Sequence, residues 1–293
     1  MLKQISIIIV CCGLHYIGVT AVSTADDDNR PTAKPSESPE KAIQRFVDEC
    51  VAISPGEGPY PVRFVIGAES PTANELARRK VSIEHKFRIS RFEMTQELYQ
   101  AVMNKNPSRW KGPRNSVENV SWQDAVDFCT RLTATLRRQN LIAADEVVRL
   151  PSALEWEYCC RAATNTKFSF GNDVGSTDND SSILDAHAWH TGNAAGNDPA
   201  VGVLKPNPWG LYDVHGYLWE FVSDELPQKS SGSDNQTNGI GAERMIRGGS
   251  WKDEHPLLSS SAYLTISDKA TGDAIGFRCV IARQPKPKKP QQQ

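Results

Sequence analysis

The sequence predicts an α+β fold with little regular secondary structure, and three observations support this prediction. Three helices have marked beginnings, short apolar runs lie between and after them, and Gly, Pro, Asn and Asp interrupt the chain between these runs. Such a mixture, without even alternation of strands and helices, is typical of α+β domains. The 293 residues are 39% hydrophobic and include seven tryptophans, which is enough for a sizeable core.

The three helix beginnings carry capping signals. Thr95 precedes the first helix, and the segments 121–124 and 152–155 each place a serine three residues before an acid. In such a capping box the serine and the acid satisfy free backbone N–H groups at the helix start. After the second box, apolar residues recur at helical spacing at Ala125, Phe128, Cys129, Leu132 and Leu136. Short apolar runs at 62–66, 87–92, 245–246 and 277–281 predict strands.

The two ends of the chain differ from its middle. Residues 1–25 are typical of an export signal peptide, because Lys3 precedes an apolar run and small residues occupy positions 23–25. An uncleaved anchor is the alternative, although the apolar run is short for a membrane span. Residues 26–45 and 284–293 predict a disordered linker and a disordered basic tail. We therefore expect an exported protein (periplasmic, cell-surface or secreted) with a domain at 46–283 and no membrane span after signal cleavage.

Charge and cysteine content argue against several classes of function. The formal net charge of −2 does not favour nucleic acid as a partner. Five cysteines remain once the signal is removed, so at least one thiol stays free. The absence of any Cys-x-x-Cys pair argues against a zinc knuckle or a thioredoxin-type motif.

The stretch 206–221 combines tryptophan and tyrosine side chains with two glycines and two acids. Gly210 and Gly216 permit turns that other residues resist. Asp213 and Glu220 would then stand in a tight, apolar-backed loop, where carboxylates and backbone carbonyls are the ligands that Ca²⁺ uses. Spacing alone leaves a second interpretation open, in which both acids accept hydrogen bonds from backbone N–H groups.

Seven segments, taken in order, resemble the motifs of one family. They are RFEMT at 91–95, NPS at 106–108, VENVSW at 117–122, RLPSALEWEY at 149–158, GLYDVHG with Trp219 and Glu220 at 210–220, RGGSW at 247–251 and GFRC at 276–279. Each motif is weak by itself, but the ordered set is highly specific. The chain resembles the sulfatase-modifying-factor family, whose best-known members are formylglycine-generating enzymes, over residues 46 to 283.

The resemblance implies a variant of the C-type-lectin-like fold and a structural calcium ion. In the family, calcium takes the side chains that match Asp213 and Glu220 and the carbonyls that match Gly216 and Leu218. Tyr217 stands where the family usually has Asn. Two carboxylate and two carbonyl oxygens, completed by water, form a suitable shell for calcium.

The resemblance also implies a disulfide between Cys129 and Cys279. Such a bridge would close a very long loop and add a few kcal/mol, about 2–4, to the free energy of unfolding. The remaining thiols, Cys50, Cys159 and Cys160, have no partner implied by the family, and buried inert thiols are the expectation for the last two.

The family's oxidation chemistry is not expected here. Formylglycine-generating enzymes oxidise a sulfatase cysteine with copper and oxygen, and their reactive cysteines lie two and seven residues after the aromatic residue of the Gly-Gly-Ser motif. Counted from Trp251, these positions hold Asp253 and Leu258. Neither residue supplies the soft thiolate that Cu(I) prefers, so copper is not expected. A site built from other ligands stays open, because five histidines remain at His85, His187, His190, His215 and His255.

We therefore expect a binding module that retains the scaffold of an enzyme and lacks its reactive pair. Trp251, Asp253 and His255 would line the groove that holds substrate in the enzymes, and a peptide, protein or glycan would bind there. The alternative is a formylglycine-generating oxidase, or an oxidase with a different metal site.

Overall fold

The described part of the computed structural model contains five α-helices, one 3₁₀ helix and ten strands. The structure describes residues 37–175, 182–196, 198–225 and 242–284. All of them fall within one compact unit, Ala33–Gln293. The helices are α1 Pro39–Glu49, α2 Gln96–Met103, α3 Trp122–Arg138, α4 Ala153–Arg161 and α5 Ser182–Asp185, with a 3₁₀ helix at His255–Leu258. The strands are β1 Cys50–Ile53, β2 Arg63–Ile66, β3 Arg79–Ser82, β4 Phe87–Ser90, β5 Glu146–Arg149, β6 Trp219–Glu225, β7 Glu243–Arg247, β8 Tyr263–Ser267, β9 Ile275–Gly276 and β10 Val280–Arg283.

Two four-stranded sheets form the frame of the domain. One has the order β1-β4-β10-β5 and the other β8-β7-β6-β9, while β2 and β3 form a separate pair. The first sheet is antiparallel, and β6 pairs with β9 in parallel. The long stretch from α4 to β6 contains only α5 among its described residues. These elements confirm the predicted α+β fold with sparse regular structure.

The three predicted helix beginnings are confirmed. The Thr95 side chain accepts a hydrogen bond from the Leu98 amide at the start of α2. Capping boxes open α3 and α4, with serine bonded to the third residue of the helix and the acid bonded back to the serine. These capping signals involve residues close together in the chain, so the sequence alone was sufficient to predict them.

The predicted linker at 26–45 ends earlier than expected, because α1 begins at Pro39. The Ser38 side chain caps this helix, and the helix buries three apolar residues, Ala42, Ile43 and Phe46. Apolar burial on one face outweighs the polar composition that favoured disorder. The predicted signal at 1–25 and the tail beyond Gln284 lie outside the described residues. Within the described residues, no helix has the length and apolar character needed to span a membrane.

Only the end of the predicted strand at 277–281 is a strand in the structure, because β9 ends at Gly276 and β10 begins at Val280. β9 pairs with β6, whereas β10 pairs with β4 and β5. Residues 277–279 therefore connect the sheets, and their side chains are fully buried. Phe277 packs edge-on against Phe128 and Tyr99 in the core, with ring centroids 5.3 and 6.4 Å away. Arg278 lies in the same connection and brings a positive charge into the interior.

Candidate functional site

The loop that ends at β6 is held against a neighbouring segment by backbone contacts. Gly216 has φ of +112°, and a Cβ there would lie 2.2 Å from the Trp189 carbonyl oxygen. The Tyr217 amide donates to that same oxygen at 3.1 Å. Tyr217 itself has φ of +71°, a left-handed conformation that Asn adopts more readily than Tyr. The loop thus keeps its turn at the position where the family usually has Asn.

Three buried carboxylates gather around one arginine beneath this loop. Arg278 binds both oxygens of Glu220, with Nε–Oε2 and Nη2–Oε1 distances of 2.6 Å each. The Trp156 indole also donates to Glu220 Oε2 at 2.7 Å. Glu93 accepts a hydrogen bond from the Leu218 amide at 3.1 Å, and the third acid is Asp213. One guanidinium thus faces three carboxylates, which leaves excess negative charge in the interior.

Asp213 has the coordination capacity that a cation needs. Its Oδ2 accepts a hydrogen bond from the Gly202 amide at 2.9 Å, but its buried Oδ1 has no partner among the described residues. Burial raises the pKa of the Asp213 carboxyl to about 6. Among the described residues, Glu220 Oε1 accepts one hydrogen bond, from Arg278, which leaves a lone pair for a cation. These donors fit a hard cation such as Ca²⁺, although Arg278 competes for Glu220.

No set of three or more His, Cys, Asp or Glu side chains is arranged to hold a metal within the described residues. A calcium ion here would therefore need backbone carbonyls and water as ligands in addition to the two carboxylates. Gly216 and Leu218, the carbonyl ligands that the family implies, lie in the same loop as Asp213.

A cavity of about 150 Å³ opens beside this loop. Its walls include Trp110, Glu118, Trp189, Asp198, Tyr217 and Trp251. Trp251 was predicted to line a groove, and it lines this cavity. Asp253 and His255, predicted with it, are not among the lining residues. The cavity is therefore aromatic on several sides and carries carboxylates.

Asp253 has a structural role in its turn. Its Oδ2 accepts hydrogen bonds from the Trp219 indole at 2.8 Å, the Ser250 amide at 2.9 Å and the Ser250 hydroxyl at 2.5 Å. Leu258 is fully buried and packs in a small apolar cluster with Phe168. His255 is exposed at the start of the 3₁₀ helix. The two positions where the family carries reactive cysteines thus hold a turn-closing carboxylate and an apolar side chain.

The thiols lie in the interior. The sulfur atoms of Cys129 and Cys279 are 3.6 Å apart, and both residues are free thiols in this structure. Burial raises the pKa of Cys160 to about 12 and that of Cys159 well above its usual value. Such thiols remain protonated, and the thiolate is the form that binds metal.

His215 is also buried, and both of its ring nitrogens have hydrogen-bond partners. Its Nδ1 lies 2.8 Å from the Leu258 carbonyl oxygen, and its Nε2 lies 2.9 Å from the Ser169 hydroxyl. Burial lowers its pKa to about 4, so the ring is neutral at pH 7. The Cys160 sulfur is 3.8 Å from Nε2. His190 pairs with Asp185 instead. The three-histidine metal site left open by the sequence does not form among the described residues.

The family can now be assigned. A family model described as "Sulfatase-modifying factor enzyme 1-like domain" matches residues 35–283. The chain belongs to the sulfatase-modifying factor family. The match begins before residue 46, in agreement with the position of α1 in the domain.

Individual relatives have different names. The chain is 25% identical over 235 residues to "Chaperone protein LppX" of Paenibacillus barcinonensis, covering 63% of this chain and 76% of that protein. It is 28% identical over 188 residues to a formylglycine-generating enzyme of Bos taurus, covering 59% of this chain and 46% of the enzyme. The chain thus matches less than half the length of the bovine enzyme.

Solved structures support the fold. PvdO from Pseudomonas aeruginosa aligns with a TM-score of 0.62 at 23% identity, covering 80% of this chain and 94% of that chain. Treponema denticola variable protein 1 gives the same TM-score at 24% identity, covering 80% and 95%. At this identity the likeness concerns the fold alone, and it agrees with the predicted formylglycine-generating-enzyme and C-type-lectin-like architecture.

Sequence reasoning missed most of the cavity of this sulfatase-modifying factor domain. Glu118 lies within the motif at 117–122 that identifies the family, and Trp110 lies two residues beyond the motif at 106–108, so neither was singled out as a cavity residue. Trp189 and Asp198 lie in an irregular stretch without any motif. No periodicity relates the four positions, and only the fold brings them together.

Proposed function

We propose that this sulfatase-modifying factor domain is an exported binding module without the family's oxidase activity. The observation that carries the proposal is the state of the two reactive positions. Asp253 closes a turn through three hydrogen bonds, and Leu258 fills an apolar cluster. Neither side chain offers a thiolate for Cu(I).

Other thiols are poor substitutes for the missing pair. Cys159 and Cys160 are fully buried on α4, and burial holds their pKa values far above neutral pH. A copper site needs two accessible thiolates, which desolvation disfavours here. Binding chemistry has better support, because an aromatic cavity with carboxylates lies next to the loop that the family uses as its framework.

The proposal includes a scaffold stabilised by calcium and by a disulfide. Calcium would be held by Asp213 and Glu220 with the carbonyls of Gly216 and Leu218, and it would neutralise the excess negative charge beneath the loop. The disulfide would join Cys129 and Cys279, whose sulfurs are already in contact distance. An oxidising, exported environment allows such a bridge to persist.

A protein or peptide is the favoured class of partner, with a glycan as the alternative. One relative bears the name of a chaperone protein, and the cysteine that the resemblance to formylglycine-generating enzymes implies as a substrate belongs to a sulfatase chain. The cavity volume of about 150 Å³ lies below the ~300 Å³ of ordinary small-molecule sites, which suits one projecting side chain.

An aldehyde assay tests the proposal. The full chain, loaded with copper under air, is incubated with a peptide that contains Cys-x-Pro-x-Arg, and aldehyde is measured by hydrazide capture and mass spectrometry. A formylglycine-generating enzyme serves as the positive control. We expect no aldehyde above the background without protein.

Aldehyde formation that disappears in the Cys160→Ala variant would overturn the proposal and identify a relocated copper site. Retained turnover in that variant, with loss on metal removal, would also overturn it and identify an oxidase with different ligands. The Cys50→Ala variant is the matched control, because this thiol lies on β1, in a different part of the domain from α4.

A further inference from the structure

The cavity contains a buried carboxylate that has no ion pair among the described residues. The exposed Lys111 ammonium interacts with it electrostatically but does not form an ion pair with it. Glu118 is 5% exposed and accepts hydrogen bonds from the Arg109 and Trp110 amides and from the Asn119 side chain. All three donors are neutral, and Glu118 forms no ion pair with any described residue. Burial raises its pKa to about 7, which reflects the cost of an unbalanced negative charge. Asp198, exposed at the rim, likewise has neutral partners, the Asn115 amide and the Tyr217 hydroxyl.

The aromatic walls already attract cations from this chain. The Arg109 guanidinium lies 4.6 Å from the ring centre of Trp110, and the Lys252 ammonium lies 4.7 Å from that of Trp251. Both cations also pair with Asp273 at the cavity edge, so they do not balance Glu118. Tryptophan faces are the strongest aromatic partners for a cation, and here two of them meet edge-to-face at 6.1 Å.

A third feature concerns hydrogen bonding. Trp189 lines the cavity, and its buried Nε1 has no partner among the described residues. An indole N–H only donates, and the carbonyl oxygen of a bound ligand is a suitable acceptor for it. A peptide carbonyl next to a basic side chain supplies such an acceptor together with the cation. A quaternary ammonium or a bare amine supplies the cation alone.

We propose that the cavity binds a basic side chain, of the lysine or arginine type, presented by a peptide or protein partner. The ammonium or guanidinium group pairs with Glu118 between Trp110 and Trp251, and an adjacent carbonyl accepts a hydrogen bond from Trp189. This inference rests on the proposed binding function and names the class of ligand. A neutral sugar would also stack on the rings, but it would leave the Glu118 charge unbalanced.

Calorimetric titration of the full chain tests the inference. The probes are N-acetyl-lysinamide, N-acetyl-argininamide and the neutral isostere N-acetyl-norleucinamide, with glucose and N-acetylglucosamine as neutral sugars. We expect both basic probes to bind and the neutral probes to bind at least about tenfold more weakly, because a charge-assisted hydrogen bond is lost. Binding of the basic probes should weaken when salt rises from about 0.05 to about 0.5 M.

Two substitutions separate the roles of the side chains. Glu118→Gln should weaken both basic probes by about tenfold or more, whereas Glu84→Gln removes the same charge from an exposed site and should leave binding unchanged. Trp189→Phe should weaken N-acetyl-lysinamide by about fivefold and leave butylammonium unaffected, because only the former has the carbonyl. Thermal unfolding of each variant verifies that it is folded.

Equal affinity for the lysine and norleucine probes would overturn the inference, as would binding of the sugars without binding of the basic probes. Absence of binding at millimolar probe concentration would overturn it too, while a negative aldehyde assay would leave the binding function standing. If Glu118→Gln fails to fold, the salt dependence and the lysine–norleucine difference in the unmodified chain still decide the matter.

Discussion

The Arg278→Met substitution tests how the buried acids organise the domain. Arg278 forms two bonds of 2.6 Å to Glu220 and donates to the Tyr212 carbonyl oxygen at 2.9 Å, with no more than 1% of its surface exposed. Its removal leaves Glu220 beside Glu93 and Asp213 without a cation. Breaking a buried ion pair costs about 3–5 kcal/mol, since the remaining charge is uncompensated. We expect a loss of that size in the free energy of unfolding from urea titration at pH 8.

The loss should be smaller at pH 5. Burial and the neighbouring carboxylates raise the pKa of Glu93 well above its usual value. The folded pKa exceeds the unfolded pKa, so the stability from its protonated form is complete at low pH and is lost as pH rises through the folded pKa. Removal of Arg278 raises this pKa further. The exposed Arg283, 3.4 Å from Asp145, is the control, and Arg283→Met should cost less than about 1 kcal/mol. A cost below about 1 kcal/mol for Arg278→Met at both pH values would refute the reasoning.

Three further predictions concern the scaffold. Excess calcium should raise the free energy of unfolding by about 2.7 kcal/mol at 100 times the dissociation constant, and Asp213→Asn should abolish this effect. Calorimetric melting with calcium and with EDTA measures both. An unchanged melting point in the unmodified chain would contradict a calcium site. Mild oxidation should consume the thiols of Cys129 and Cys279 and raise the free energy of unfolding by up to about 4 kcal/mol, whereas oxidation should not stabilise the Cys279→Ser variant. Thiol titration and thermal melting measure both effects, and two thiols that stay titratable after oxidation would contradict the bridge. Gly216→Ala should lower the free energy of unfolding by at least about 2 kcal/mol, because its Cβ would meet a carbonyl oxygen. Gly58→Ala, with open space around the Cβ, should lower it by about 1–2 kcal/mol, the cost of a positive φ alone. Equal losses in urea titration would show that the contact with the carbonyl oxygen is unimportant.

The parts of the fold that the sequence predicted are those encoded by neighbours in the chain. The capping boxes at Ser121 and Ser152 use residues three positions apart, so the pattern can be seen without knowing the tertiary structure. The helix α1 had a comparable signal, because Ser38 is followed by Pro39 and Glu40. Its polar composition outweighed that signal in the prediction, and the structure shows that three buried apolar residues on one face were sufficient for a docked helix.

The site was less predictable because its contacts join distant segments. Glu220 meets Arg278 across 58 positions, and the chain passes between two sheets to bring them together. The cavity takes Glu118, Trp189 and Trp251 from three separate loops. Composition identifies such residues as acids and tryptophans, but only long-range pairing determines which of them share a cavity.

The loop that leads into β6 contacts both the buried acids and the cavity, so the acids help to position the cavity wall. Glu93 accepts a hydrogen bond from the Leu218 amide, and Tyr217 and Leu218 form part of the cavity wall. Glu93 therefore helps to position the wall, while Asp253 closes the turn before Trp251 through hydrogen bonds and Leu258 packs in its apolar cluster. Replacement of two thiols by a turn-closing carboxylate and an apolar side chain removes the ligands for copper but leaves this support in place. We therefore propose that the cavity can bind a partner without the reactive pair, because Glu93 and the backbone contacts of the loop support its wall.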